Sequence, residues 1–214
     1  MRTTDRLLSI YEQMLVQLGP QHWWPAETPF EVMVGAILTQ NTSWKNVERA
    51  IANLKAAGLM SLEALSSLPT GLLAEYIRPA GYYNIKAGRL HNLLTWINQH
   101  HGGNLEAFFA QPLPQFRSQL LAIKGIGRET ADSILLYAAH LPIFVVDAYT
   151  HRILVRHQII DPEQDYEAIQ GLFMDHLPGD PALFNEYHAL LVRVGNRYCK
   201  KNKPDCAACP LQGI

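Results

Sequence analysis

All three cysteines of the chain, Cys199, Cys206 and Cys209, stand close together in the spacing C-x6-C-x2-C. Thiols packed so tightly are seldom unrelated core residues, and as thiolates they are metal ligands. A second pattern, Leu120-Leu121-Ala122-Ile123-Lys124-Gly125-Ile126-Gly127-Arg128-Glu129-Thr130-Ala131, sets two glycines one residue apart between two helical segments. Bare backbone at a helix N-terminus aims N–H groups and the helix dipole outward, which suits a phosphate. Taken alone, the same pair also makes a tight helix-helix turn with no ligand. Asp147 is a single carboxylate after the apolar run Ile143-Phe144-Val145-Val146 and at the start of a helical pattern, and on its own it reads as an N-cap. Arg193, Arg197, Lys200, Lys201 and Lys203 fall together with no acidic residue before Asp205, a face fit for phosphate or for water. The histidines make no such pattern. His100 and His101 beside Gly102-Gly103 mark a helix end, and His151 and His157 do not share one helix face, so none is assigned chemistry.

The elements that must hold these residues are helical. Thr28-Pro29-Phe30-Glu31 combines a Thr cap, Pro at the first helical position and Glu three residues after the cap, which predicts a helix to about Gln40. Ser43 can cap a second helix with Trp44, Val47, Ala50, Ile51 and Leu54 at three-to-four spacing, stopped by Gly58. Further helices are predicted over 84–100, 114–121, 128–139, 149–157, 166–176 and 181–197. The four-residue run from Ile143 has no strand to pair with and reads as a buried connector. The inventory predicts an all-α protein with no internal repeat.

Composition narrows the class. With 48% hydrophobic and 17% charged residues, the chain of 214 is neither disordered nor fibrous. Its formal net charge of −1 argues against coating nucleic acid or membrane by charge alone. The longest uncharged stretch, 133–146, falls short of the roughly 20 apolar residues that span a bilayer, so no membrane partner is expected. Met1 to Arg6 lack an apolar signal core behind them, and the cytoplasm is the expected location, on the nucleoid if the source is bacterial.

Together, Gly125 to Ala131 and Val146-Asp147 to Arg152 resemble the hairpin L-x-G-[IV]-G-x-x-T-A and the following V-D-x-x-x-x-R of the helix-hairpin-helix DNA glycosylases of the endonuclease III superfamily. Gly35 to Thr42, Gly81-Tyr82-Tyr83-Asn84-Ile85-Lys86-Ala87 and the cysteine spacing add to the likeness, which runs from about residue 25 to 210. The resemblance implies two helical domains flanking a cleft: residues 25–141, with the hairpin at about 117–140, and residues 1–24 plus 142–214. It implies a monomer that binds double-stranded DNA holding a damaged base, flips that nucleotide out and hydrolyses its N-glycosidic bond. Asp147 would be the catalytic carboxylate. Breaking this bond leaves positive charge on the sugar, which a fixed carboxylate in a dry site stabilises, or it takes a proton from the attacking water.

Strand-nicking members carry Lys just before the Thr-Ala of the hairpin, where its amine forms a Schiff base with the sugar. This chain has Glu129 there, so the resemblance implies a monofunctional enzyme, with Lys124 a phosphate contact. Gly125, Gly127, Arg128, Thr130, Arg152, Lys200 and Lys201 would also meet DNA, with Gln40 wedged into the gap the flipped base leaves, unless it serves only as a helix cap. Trp23-Trp24-Pro25 and Trp44 resemble the bacterial 3-methyladenine glycosylases of this fold, in which aromatic side chains from these two places sandwich the base; Tyr149 agrees with that branch. Core filling is the other reading of the tryptophans. The cysteines imply a [4Fe-4S] cluster of pattern C-x6-C-x2-C-x5-C, whose fourth ligand would fall just after Ile214. That leaves open a sequence one residue short, a non-Cys fourth ligand, no cluster, or zinc. The competing functions are an endonuclease III-like glycosylase and lyase for oxidised or mismatched pyrimidines, and a non-catalytic helix-hairpin-helix DNA-binding protein.

Overall fold

The computed structural model describes residues 2–214 and is all-α; no strand is present among the described residues. The chain divides into two compact units, one made of the segment ending at Pro25 together with His140–Ile214, the other of Ala26–Ala139. In chain order the helices are α1 (Thr3–Leu18), α2 (Pro29–Leu38), α3 (Trp44–Ala56), α4 (Leu62–Ser67), α5 (Thr70–Tyr76), a 3-10 turn (Arg78–Ala80), α6 (Tyr83–His101), α7 (Leu105–Phe109), α8 (Leu113–Ala122), α9 (Arg128–Ser133) continued by a π-helical turn (Ile134–Ala138), α10 (Ala148–Arg156), α11 (Tyr166–Met174) and α12 (Pro181–Arg197). No helix among the described residues is long and apolar enough to cross a membrane.

In the 26–139 unit, α2 is wrapped on nearly every side, with Phe30 through Leu38 all buried. Its start is fixed as the sequence suggests: Thr28 Oγ1 accepts from the Glu31 N–H at 3.1 Å. The reciprocal half of the capping box differs. Glu31 accepts from the Glu27 N–H at 3.1 Å, one residue upstream of Thr28, and its carboxylate also meets Lys55 Nζ at 2.8 Å. At the other end, Lys86 of α6 is buried and donates to the carbonyls of Leu38 and Ala80, both at 2.8 Å. Burial, with the Arg89 charge nearby, pushes its amine down to about 8. A lysine thus ties off carbonyls at the ends of α2 and the 3-10 turn, groups that a helix cannot satisfy itself.

The other unit is knitted from both of its segments. Leu7, Ile10 and Met14 of α1 are buried with Phe184, Tyr187, Leu190 and Val194 of α12, and Tyr187 donates through its hydroxyl to the Leu7 carbonyl at 2.8 Å. Phe144 stacks on Phe173 of α11 with centroids 3.8 Å apart, so the run from Ile143 is a buried connector without strand pairing. Several sequence expectations are corrected. Ser43 sits at the cap position of α3 without a cap hydrogen bond, and the segment expected as one helix over 128–139 changes to π geometry, with Ala139 N–H bonding Ile134 O five residues back. Helices α1, α4, α5 and α7 are not among those the sequence pattern predicts. The last three are too short to show a period, whereas Leu7, Ile10 and Met14 carried one.

Candidate active site and nucleic-acid interface

The hairpin is the turn from Ile123 to Gly127 between α8 and α9. Gly125 has φ 98°, and a Cβ there would run into the Cγ and Cδ of Arg89, so glycine is required twice over. Lys124, Gly127, Arg128 and Glu129 are exposed, whereas Thr130 is buried. Gln40 is drawn inward: its amide donates to the Gly125 carbonyl at 3.2 Å and to Thr130 Oγ1 at 2.9 Å, while its Oε1 accepts from Arg89. Asn92 donates to the Lys124 carbonyl at 2.8 Å. The structure therefore gathers Gln40, Gly125 and Thr130 into one network, in which Gln40 neither caps its own helix nor projects as a free wedge. Beneath them, Arg117 of α8 grips the fully buried Asp132 of α9 through two bonds of 2.7 and 3.1 Å.

In the other unit, Asp147 is the N-cap of α10. Its Oδ1 accepts from the Thr150 N–H at 2.7 Å, and its Oδ2 lies 3.7 Å from Nε2 of the buried His188 on α12. Burial opposes ionisation of this carboxyl, but the His188 contact and the Thr150 bonds outweigh it and hold the group below the usual Asp value. A nearly buried carboxylate kept charged at a helix start is a fixed negative charge available to a cationic centre. His188 escaped the sequence reading, although a histidine inside the apolar stripe of Phe184, Tyr187 and Leu191 was a visible signal.

Tyr149 lies against the backbone of Gly195 and carries the Arg152 guanidinium 5.1 Å above its ring. A Cβ at position 195 would come within 2.6 Å of Tyr149 Cβ and 2.7 Å of its Cγ, atoms that cannot swing aside. Gly195→Ala should therefore destabilise the protein by about 1–3 kcal/mol, the cost of overpacking, although Ala normally favours a helix interior. Thermal unfolding checks this, and an unchanged or raised Tm would contradict it.

Arg152, expected to meet DNA, is turned to the protein: it donates to the carbonyls of Cys199 at 2.7 Å, Gly195 at 3.2 Å and Ala148 at 3.3 Å. Arg156 holds the carbonyls of Lys200 at 2.7 Å and Lys201 at 3.0 Å. The carbonyls left over where α12 ends need donors, and two guanidinium groups of α10 supply them. The side chains of Arg193, Arg197, Lys200, Lys201 and Lys203 remain exposed.

The three cysteines differ in exposure. Cys199 is buried with Arg156 3.3 Å from its sulfur, Cys206 is exposed, and Cys209 lies between. Among the described residues, no three His, Cys, Asp or Glu side chains gather where a metal ion could sit. Burial, with Cys199, Cys206 and Asp205 nearby, pushes the Cys209 thiol up. The [4Fe-4S] ligand set expected of Cys199, Cys206 and Cys209 is therefore not assembled among the described residues.

Of the tryptophans, Trp23 and Trp24 pack together with centroids 5.0 Å apart, and Trp44 bonds Glu48 along α3 at 2.8 Å. All three are half-buried, and Pro25 is exposed.

Comparison with known proteins places this hairpin and its surroundings. The model of the HhH-GPD superfamily base excision DNA repair proteins matches residues 34–178, more than half of the chain. The chain belongs to that superfamily. A Methanocaldococcus jannaschii protein named as a candidate DNA repair glycosylase is 46% identical over 209 residues, covering 97% of this HhH-GPD chain and 94% of its own. Endonuclease III of Thermotoga maritima is 29% identical over 187 residues, covering 86% of this chain and 81% of its own. Among solved structures, the H. pylori 3-methyladenine DNA glycosylase bound to 1,N6-ethenoadenine superposes with a TM-score of 0.76 at 29% identity, over 90% of this chain and 96% of that one.

Proposed function

We propose that this HhH-GPD protein is a monofunctional DNA glycosylase that removes alkylated purines from double-stranded DNA, with Asp147 as its catalytic carboxylate. The observation that carries the reading is the state of Asp147, nearly buried, fixed by the Thr150 N–H and held ionised. Such a charge stabilises the cation that forms on the sugar as the base departs, without reorganising during the reaction. One carboxylate suffices when the leaving base is itself cationic. The exposed Lys124, Arg128, Lys200 and Lys201 supply phosphate contacts, with the backbone of Gly125 and Gly127 at the hairpin. Trp23, Trp24, Pro25, Tyr149 and Trp44 are the proposed stacking surfaces for the base, and stacking with cation-π attraction favours alkylated purines. The likeness to a 3-methyladenine glycosylase that binds 1,N6-ethenoadenine supports this branch.

Glu129 excludes imine chemistry at the hairpin position, because a carboxylate cannot condense with a sugar aldehyde. Duplexes each bearing one lesion, treated with and without alkali, test the reading. Alkylated purines should be released, strands should break only after alkali, and borohydride should trap no protein-DNA adduct. Efficient borohydride trapping would overturn the monofunctional reading and direct attention to Lys124 or another amine.

A further inference from the structure

Asp147 is held from two sides. Its Oδ1 is committed to the Thr150 N–H, while Oδ2 faces a histidine that no part of the functional reading uses. Both side chains are largely dehydrated, 10% exposed for Asp147 and 8% for His188. The separation of 3.7 Å is an electrostatic contact rather than a hydrogen bond. His188 is fixed in turn by its place on α12, between Tyr187 and Ala189 in the buried stripe, with the Phe144 ring edge-on at a centroid distance of 6.4 Å. We infer that His188 is a positioning residue for Asp147, its imidazole holding Oδ2 so that the carboxylate is oriented before DNA arrives.

Asp147 is an acidic group set against this imidazole, and the other polar groups around it have partners of their own. From α1, Tyr11 packs on Tyr187 and Arg6 donates to the His157 carbonyl. From α10, Arg152 and Arg156 are spent on the carbonyls after α12, and Tyr149 lies on Gly195. From the α11 side, the Tyr166 hydroxyl accepts from the Val146 N–H at 3.4 Å, and Glu186 of α12 itself accepts from the Gln21 N–H at 2.7 Å. The His188 charge is among the causes that keep the Asp147 carboxyl low. Without it, the balance moves toward burial, which favours the neutral acid, against the Thr150 bonds alone.

This inference rests on Asp147 as the catalytic carboxylate, and the test separates the two. Single-turnover base release is followed across pH on a duplex carrying one 7-methylguanine, whose positive charge persists through the acidic range, so that the acid limb reports the protein. In His188→Gln the rate at pH 5, relative to that at pH 8, should fall about tenfold as the limb moves to higher pH, and His188→Leu should lose more. A profile that superimposes on that of the unmodified protein overturns the inference. Activity retained by Asp147→Asn would instead remove the catalytic assignment. Carboxyl-carbon NMR of Asp147 needs no substrate and no variant: the unmodified protein should titrate below the ordinary Asp value, and a titration at or above it overturns the role of His188 even if its variants fail to fold.

Discussion

Asp147→Asn should lower single-turnover base release by about a hundredfold or more while leaving the fold and DNA affinity in place. The loss corresponds to about 2.7 kcal/mol or more of transition-state stabilisation, the scale on which a preorganised electrostatic group acts. The helix cap should survive, because Asn caps a helix about as well as Asp and can keep the Thr150 bond, so that only the charge-dependent part of stability is lost. The sign of the pH effect follows from the depressed carboxyl. Its contribution to stability is present above the ordinary Asp value and is lost as pH falls through the lower folded value. The acid limb of activity belongs to the same group and should vanish in the Asn variant. Near-normal release by a folded Asp147→Asn protein would remove the carboxylate from the mechanism.

Arg117→Leu should produce the largest loss of stability, about 3–5 kcal/mol, because it strips the guanidinium from a carboxylate with no solvent access. For a chain of this size that is a fall of roughly 10 °C or more in Tm. The double variant Arg117→Leu/Asp132→Leu should recover much of the loss, since the buried charge is then gone as well. A single variant within about 1 kcal/mol of the parent, in denaturant unfolding, would show that the pair does not hold α8 against α9.

The hairpin was legible because glycine is a local signal: a position that needs φ 98° and tolerates no Cβ announces itself by composition. Asp147 was legible for a similar reason, since a carboxylate at a helix start is written into the neighbouring residues. What the sequence could not show is where long side chains end. Arg152 carries a charge that suits DNA, yet its guanidinium completes the carbonyls of Gly195 and Cys199, far along the chain. Gln40 likewise reaches partners 85 and 90 residues away. The cysteine spacing suggested a cluster, but spacing alone does not say whether thiols converge. Lys86 stands in a motif that the resemblance singled out, and only its two carbonyl partners reveal what it holds.

The unit that carries Asp147 is assembled from two segments separated by the whole of the other unit, and this bears on how the protein is made. Ala26–Ala139 is continuous and can fold as soon as it has left the ribosome. The other unit cannot close then, because the hydroxyl of Tyr187 has to find the carbonyl of Leu7, 180 residues earlier. Until α12 has been synthesised, the apolar face of α1, Leu7, Ile10 and Met14, lacks its partners there. Non-local closure of this kind is slow. The carboxylate therefore receives its imidazole neighbour only after α12 has been synthesised, when the continuous unit that carries the hairpin is already complete in sequence.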